Sequence, residues 1–582
     1  MQHSSPASRT SELLLAATLA LISLFAFSYS IDAVPPYHTD ENFYVESVKN
    51  MTASGDYITP VYHEKKRFAK PILYYWLVAA SYKLFGADHA SARLVSALSG
   101  ALCVFVTFLL ARRLFDSRTA FISASILPGL YLHAQISRWA ITDMTVALFI
   151  LTSLYCFIRA VDTEKIHAGW IYGFYIFIGL GFMTKGPPAL LIPAATLATF
   201  FALRRDASLL KPLRIFQGLT LVIAMNLPWF TTMFLLHGDE FSDHILGAEI
   251  RDRVMHDLPF SFYYFGVLFR YHLPWSLFTL AALIFWFTPQ TETDPSTLKD
   301  SLFLRIKNRA GGLLEDSNKS LLFCLAWVVA PTLIFTLFRI EHSRYLLPLS
   351  PALAMITGYF LCQLADSKQI SNAYFKYPFV ATLGIYMILA FAGGVALWTI
   401  QPLFEVPLSV IFMPLCLGLG SLVLWRMHRK GERFRLVLSL AFLQIIFLGL
   451  LNGAAHPFLD RYPMKHFSEI IRAQGNGDEK ITAYQLGSHR ARLGIMTGQM
   501  AINVEDVQEI VNVAASPQPG FVVLREEDWN THFQSLPLKI IARDTGWKKG
   551  GKKGPLIKAI WQEGILSQKD NLLETYFLLG LK

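Results

Sequence analysis

Two carboxylates stand side by side at Asp40 and Glu41 in HTDENFYVES, directly after the first long apolar run of the chain. Such a pair can do chemistry: one carboxylate can take the proton from a hydroxyl nucleophile, or stabilise positive charge on a reacting carbon. It can equally be structural, complementing the positive end of a helix that begins there, with Thr39 or Asp40 as the cap. Further on, KKRFAKPILYYW sets Lys70 before a proline and an aromatic run. An ammonium there either snorkels to the membrane surface or offers a point charge to a phosphate held at headgroup depth.

The elements that must hold these groups are apolar helices. Of 582 residues, 53% are hydrophobic and only 16% are charged, against about 25% charged in soluble domains. With roughly 20 apolar residues per crossing, the pattern predicts about thirteen transmembrane helices. The first runs from Leu13 to about Ser30, read as an uncleaved helix, and the last from about Leu436 to Ala455. The net charge of +10 is spread over alternate turns, including Arg112, Arg113 and Arg118; Arg204, Arg205, Lys211 and Arg214; and Arg426, Arg429 and Lys430. By the positive-inside rule these turns are cytoplasmic, so the excess is a topology signal and nucleic acid is excluded as a partner. The N-terminus then lies inside and the C-terminus outside.

Residues 32–91 and 237–262 become external loops. The first contains two interfacial amphipathic segments, ENFYVESVKNMTASGDY and PILYYWLVAASYKLFG. Lys185, Arg251, Arg253, Arg339 and Arg344 fall on the same outer side, where the positive-inside rule predicts few cations. Several cations gathered around an acidic residue at that surface suit an anionic, lipid-linked substrate. His237, His244 and His256 show no i, i+4 pairing with a carboxylate, so metal ligation there rests on weak candidates only, His244 and Glu249. Cys103, Cys156, Cys324, Cys362 and Cys416 show no CxxC spacing and read as small buried hydrophobes.

From His456 onward the chain becomes more polar. KITAYQLG, GFVVLREEDW and LKIIARDTG read as strands and PMKHFSEIIRAQG and VEDVQEIVNVA as amphipathic helices. Residues 1–455 therefore read as a membrane domain and residues 456–582 as a small external α/β domain.

The stretch from Asp40 through KPILYYW and LFG to SARLVSAL resembles the opening of the bacterial aminoarabinose transferases and the protein mannosyltransferases, polyprenyl-phosphate-dependent glycosyltransferases of the GT-C type. SRWAITDM, GLGFMTKGPPALLIP, LPFSFYYFGVLFRYHLPW and HSRYLLPLSPALAM follow in the family's order. The resemblance implies a polytopic helical fold with a periplasmic C-terminal domain in the bacterial inner membrane. It also implies transfer of a sugar from a polyprenyl-phosphate donor to lipid A or another lipopolysaccharide component, or alternatively to a protein side chain. It places Asp40 at the catalytic position, with Glu41 beside it and Asp143 as a second acidic position. Lys70, Tyr345 and Arg251 fall where the lipid phosphate is held, with Arg344 and Lys185 nearby.

Three departures stand out. Phe43 replaces an Arg that often follows the acidic pair, Ala69 replaces a metal-binding Glu before Lys70, and Glu249 stands where a His precedes the Ile-Arg step. A divalent metal is therefore not assigned. A transporter is the rival from another class, but transporters place ionisable groups at the bilayer midplane in broken helices, whereas these charges gather at the rim.

Overall fold

The computed structural model describes the chain except residues 1–5, 35–38, 63–64, 162–166, 207, 209, 246, 248–260, 288–310, 313, 338–340, 367–370, 476–478, 500, 517–518, 549–559, 561 and 581–582. The described chain forms two units, one of Met1–Ile31, Phe43–Leu389 and Cys416–Gly449, the other of Asp32–Asn42, Ala390–Leu415 and Leu450–Lys582.

The first unit is helical. Its helices are α1 (Pro6–Ser28), most of α2 (Thr39–Ser54), α3 (Leu73–Phe85), α4 (His89–Leu114), α5 (Ser117–Ile126), α6 (Tyr131–Ile136), α7 (Thr142–Val161), α8 (Ala168–Lys185), α9 (Pro188–Arg204) and α10 (Ile215–His244). They continue with α11 (Tyr263–Arg270), α12 (Trp275–Phe287), α13 (Lys319–Leu337), α14 (Ser350–Asp366), α15 (Ala373–Ile400, whose later part joins the second unit), α16 (Leu408–Lys430, whose first part belongs to the second unit) and α17 (Arg433–Leu450). Helix starts follow local chemistry. Asp88 caps α4 by accepting from Ser91 N at 2.7 Å, and Asp116 caps α5 by accepting from the amides of Arg118 and Thr119, each such cap being worth about 1 kcal/mol.

Among the described residues, nine helices are long and apolar enough to cross a membrane, or ten if α11 and α12, bent by 112°, make one span. Some of the apolar runs behind the expected thirteen spans form shorter or broken helices. Residues 117–136 break at the Leu127–Gly129 turn around Pro128, where proline supplies no N–H to the ladder, and α9 has only 17 residues. Small residues let the helices approach. A Cβ on Gly100 of α4 would lie 2.2 Å from Ser137 Oγ, and one on Gly358 of α14 would lie 2.4 Å from Ser123 Oγ of α5, the close packing expected of membrane helices.

The second unit holds a five-stranded mixed sheet. Its strands are β3 (Lys480–Tyr484), β4 (Ala501–Val504), β5 (Gly520–Arg525), β6 (Lys539–Trp547) and β7 (Leu573–Gly580), in spatial order β4-β3-β5-β7-β6. The first three run parallel and β7 runs antiparallel to β5 and β6. Alternation along the strands feeds two cores. Ile481, Ala483, Phe521 and Val523 pack under α18 (Pro463–Gln474) and α19 (Ser488–Thr497), through Phe467 and Leu493. Tyr484, Val522 and Leu524 pack against Ile510 of α20 (Val507–Ala514) on the other face. Burying a side chain such as Phe467 stabilises by about 2 kcal/mol.

Candidate active site

Asp143 opens α7 and Lys185 closes α8. The two helices pack together and are joined by a short connection, so the start of one meets the end of the other. Each charge also complements its own helix dipole, the carboxylate at a positive end and the ammonium at a negative end. Gly186, at φ +90, ends α8, its N–H donating to Phe182 O at 2.7 Å, and Pro188 starts α9.

Lys185 Nζ donates to Asp143 Oδ1 at 2.5 Å, and Arg344 Nε approaches the same oxygen at 3.9 Å. The side chains are 8%, 4% and 17% exposed in that order. Arg344 and Tyr345 lie on a 3-10 run, Ser343–Leu349, that leads into α14. Lys185 Nζ stands 4.9 Å from the centre of the Tyr345 ring, within the range of a cation–π attraction. The Tyr345 ring is in turn flanked by His342 at 5.3 Å and Phe335 at 5.7 Å. One pocket is lined by Asp143, Lys185, Arg344, Tyr345, Phe335 and Pro348, among others. Two cations sharing one carboxylate are preorganised, which is how fixed charge acts on a developing anion.

The start of α7 is itself anchored. Ser96 Oγ of α4 donates to Ile141 O at 3.3 Å, Tyr74 of α3 pairs with Ser96 at 3.2 Å, and Ser99 pairs with Thr145 at 3.1 Å. The Arg138 guanidinium donates to the carbonyls of Phe27, Tyr29 and Ser30 at 2.7, 2.8 and 3.0 Å, satisfying the end of α1. Arg93 Nη1 donates to Ile31 O at 2.6 Å.

Asp40 and Glu41 occupy the first turn of α2. Asp40 is half-buried, while Glu41 is fully buried at 0% exposure, so Glu41 is more than a surface charge at a helix end. Lys70 is half-buried and donates to Ala69 O at 2.6 Å; it does not line the pocket around Asp143. Arg251 and Glu249 lie outside the described residues. His244, read as part of a loop, sits on the last turn of α10, its ring 6.0 Å from that of Phe68. Among the described residues no group of three or more His, Cys, Asp or Glu side chains gathers as a metal site, and Ala69 offers no ligand.

Sequence reading had no signal for two features of the outer loop. A hairpin of β1 (Val61–Tyr62) and β2 (Lys65–Lys66) follows α2. Just beyond it the Arg67 guanidinium lies 3.7 Å over the Phe43 ring, bringing a cation to the side chain that replaces the family's Arg. Burial pushes the Tyr62 hydroxyl pKa up, with Glu46 adding to the shift and Arg67 opposing it.

The chain resembles known proteins at three levels. Residues 69–231 match the family described as dolichyl-phosphate-mannose-protein mannosyltransferase, a stretch containing Lys70, Asp143 and Lys185. An uncharacterized protein of Aquifex aeolicus is 28% identical over 475 residues, covering 81% of this chain and 83% of that one. The undecaprenyl phosphate-alpha-4-amino-4-deoxy-L-arabinose arabinosyl transferase of Aeromonas hydrophila is 27% identical over 347 residues, 58% of each chain, so the match spans under two thirds of that transferase. Among solved structures, ArnT from Cupriavidus metallidurans bound to undecaprenyl phosphate superposes with a TM-score of 0.69 at 20% identity, over 92% of this chain and 97% of that one. The same protein in the apo state gives 0.67. The two chains share a fold.

Proposed function

We propose that this chain, a membrane glycosyltransferase of the GT-C family that uses polyprenyl-phosphate-linked sugars, transfers its sugar to lipid A or another lipopolysaccharide component at the periplasmic face. The observation that carries the reading is the buried gathering of Asp143, Lys185, Arg344 and Tyr345 around one pocket, at positions where the family motifs predict a substrate cavity.

In this reaction the bond from the anomeric carbon to the phosphate oxygen breaks, and the polyprenyl phosphate departs with the electron pair. Fixed cations at headgroup depth stabilise that charge; Lys70 takes this role together with Arg251 or Arg344, and Tyr345 donates a hydrogen bond. Lys185, held by Asp143, keeps the neighbouring cavity cationic. A hydroxyl acceptor attacks the anomeric carbon while Asp40 receives its proton. A phosphate acceptor arrives already ionised, and Asp40 then orients it or stabilises positive charge at the anomeric carbon. The family match to protein mannosyltransferases favours a second reading in which the acceptor is a protein hydroxyl. The inner membrane, a cytoplasmic N-terminus, about thirteen spans and a periplasmic position for the sheet-containing unit belong to the same proposal.

The donor half of the reading is tested by binding of undecaprenyl phosphate to the purified full chain. Lys70→Ala is expected to weaken binding, and unchanged affinity in that variant removes Lys70 from the phosphate site.

A further inference from the structure

From Trp229 onward, helix α10 carries a stripe of buried side chains beside strongly exposed ones. Trp229, Met233 and Phe241 are buried and His237 and His244 half-buried, while Phe234, Leu235 and Leu236 are 54%, 77% and 58% exposed. The stripe at 229, 233, 237, 241 and 244 has the spacing of one helical face. It continues across Gly238, whose φ of +50 and ψ of −126 interrupt the helix.

Every member of the stripe meets the short segment 58–68. Trp229 Nε1 donates to Ile58 O at 3.1 Å. Thr59 Oγ1 lies 2.9 Å from His237 Nε2 and 3.9 Å from Met233 Sδ. The Phe68 ring, 4% exposed, packs against His237 at 5.4 Å, Phe241 at 5.4 Å and His244 at 6.0 Å. An exposed ion pair between Lys66 and Glu240 at 2.9 Å closes the outer edge. A hairpin of two-residue strands cannot hold its own shape, so docking fixes the segment: on α2 through Asn50 Nδ2 donating to Val61 O at 3.0 Å and Phe43 against Tyr62, and on α10 at the end nearer Lys70, which follows Phe68 by two residues.

We infer that the outer end of α10, hinged at Gly238, is a clamp on the loop that bears Lys70, and that Phe68 is the positioning residue through which it acts. This rests on the reading of Lys70 as the cation for the donor phosphate. The clamp fixes where the ammonium stands before donor arrives, and so sets donor affinity without touching the reacting atoms. Such preorganisation is lost when supporting contacts loosen, even far from the chemistry.

The test uses the full chain in nanodiscs with undecaprenyl phosphate as the probe and no turnover. Phe68→Ala is expected to raise its Kd roughly tenfold, with Phe68→Tyr close to wild type. The thermal midpoint of Phe68→Ala should stay at the wild-type value while the Kd rises; a merely unstable protein would lower the midpoint and leave the Kd of its folded fraction unchanged. Bridging Lys66→Cys to Glu240→Cys with a short bismaleimide in the Phe68→Ala background should restore the affinity. Phe68→Ala binding as tightly as wild type, or a bridged protein no tighter than the unbridged one, overturns the clamp. Wild type failing to bind undecaprenyl phosphate at all overturns the donor reading and the clamp's role with it, while bridging at 66 and 240 still reports whether the clamp is formed.

Discussion

Lys185 and Asp143 are 42 residues apart in the chain and 2.5 Å apart in the fold, buried between the end of one helix and the start of its neighbour. Arg344 approaches the same carboxylate oxygen at 3.9 Å. The carboxylate therefore serves as a mount for two cations, which separates its role from that of Asp40.

Removing part of this cluster should be more harmful than removing all of it. Breaking a buried pair costs about 3–5 kcal/mol because a charge is stranded, whereas apolar replacement of every partner is often neutral. Asp143→Leu, which takes the carboxylate from both cations, is expected to lower the thermal midpoint in detergent clearly, and Asp143→Leu with Lys185→Met and Arg344→Met to recover part of the loss. Both variants should be inactive in transfer. Additive losses in the triple variant would show that the three groups are not coupled.

At Arg138 a lysine should not substitute. The guanidinium serves three carbonyls at the end of α1, and an ammonium lacks that planar fork. Each buried carbonyl left without a donor costs about 1–3 kcal/mol. Arg138→Lys is expected to speed amide hydrogen exchange through the last turn of α1, and wild-type protection there would refute the assignment.

The sheet-containing unit carries a pH signature at Asp528, outside the membrane helices. Burial raises its pKa above the ordinary 3.8, with Glu527 and Glu574 adding and Arg525 and His532 opposing. Its Oδ2 is buried without a hydrogen-bond partner among the described residues. Because the folded value lies above the unfolded one, the unfolded chain ionises first as pH rises, so stability is lost from about pH 3.8 up to the raised value and stays lost above it. Asp528→Asn should therefore raise the unfolding midpoint of this unit at pH 7 and make no difference below pH 3.8. An equal gain at both pH values would contradict the account.

The adjacent acids should separate in phenotype. Glu41 is fully buried and Asp40 half-buried at the same helix start. Glu41→Ala is expected to reduce folded yield, and Asp40→Ala to leave yield intact and abolish transfer. Exchange of the two phenotypes would reverse the roles.

What the sequence made legible was local. The α2 and α3 segments showed helical spacing, and β3, β5 and β6 showed apolar runs bounded by turns, each recovered in place. β4 has only four residues, and LETYFLLG in β7 fits a buried strand or a helix equally, so the order of the sheet was out of reach. The pairing of Asp143 with Lys185 depends on which helices pack side by side, which periodicity does not encode. The α10 stripe was in principle visible, but Gly238 and the polar residues 237–244 made a helix end look like a loop. Asp40, Lys70 and Tyr345 were named from motif order, and their chemistry rests on the proposed reaction.

The central claim is that a sugar leaves a polyprenyl phosphate for an acceptor at the outer face, and one comparison tests it most directly. Lipid A, lipopolysaccharide core and glycoprotein fractions of a deletion strain would be compared with wild type by mass spectrometry, with complementation by wild type and by Asp40→Asn. The account predicts one sugar mass missing from lipid A or core, restored by wild type and not by Asp40→Asn. Identical fractions in a strain shown to express the protein, or full restoration by Asp40→Asn, would contradict it.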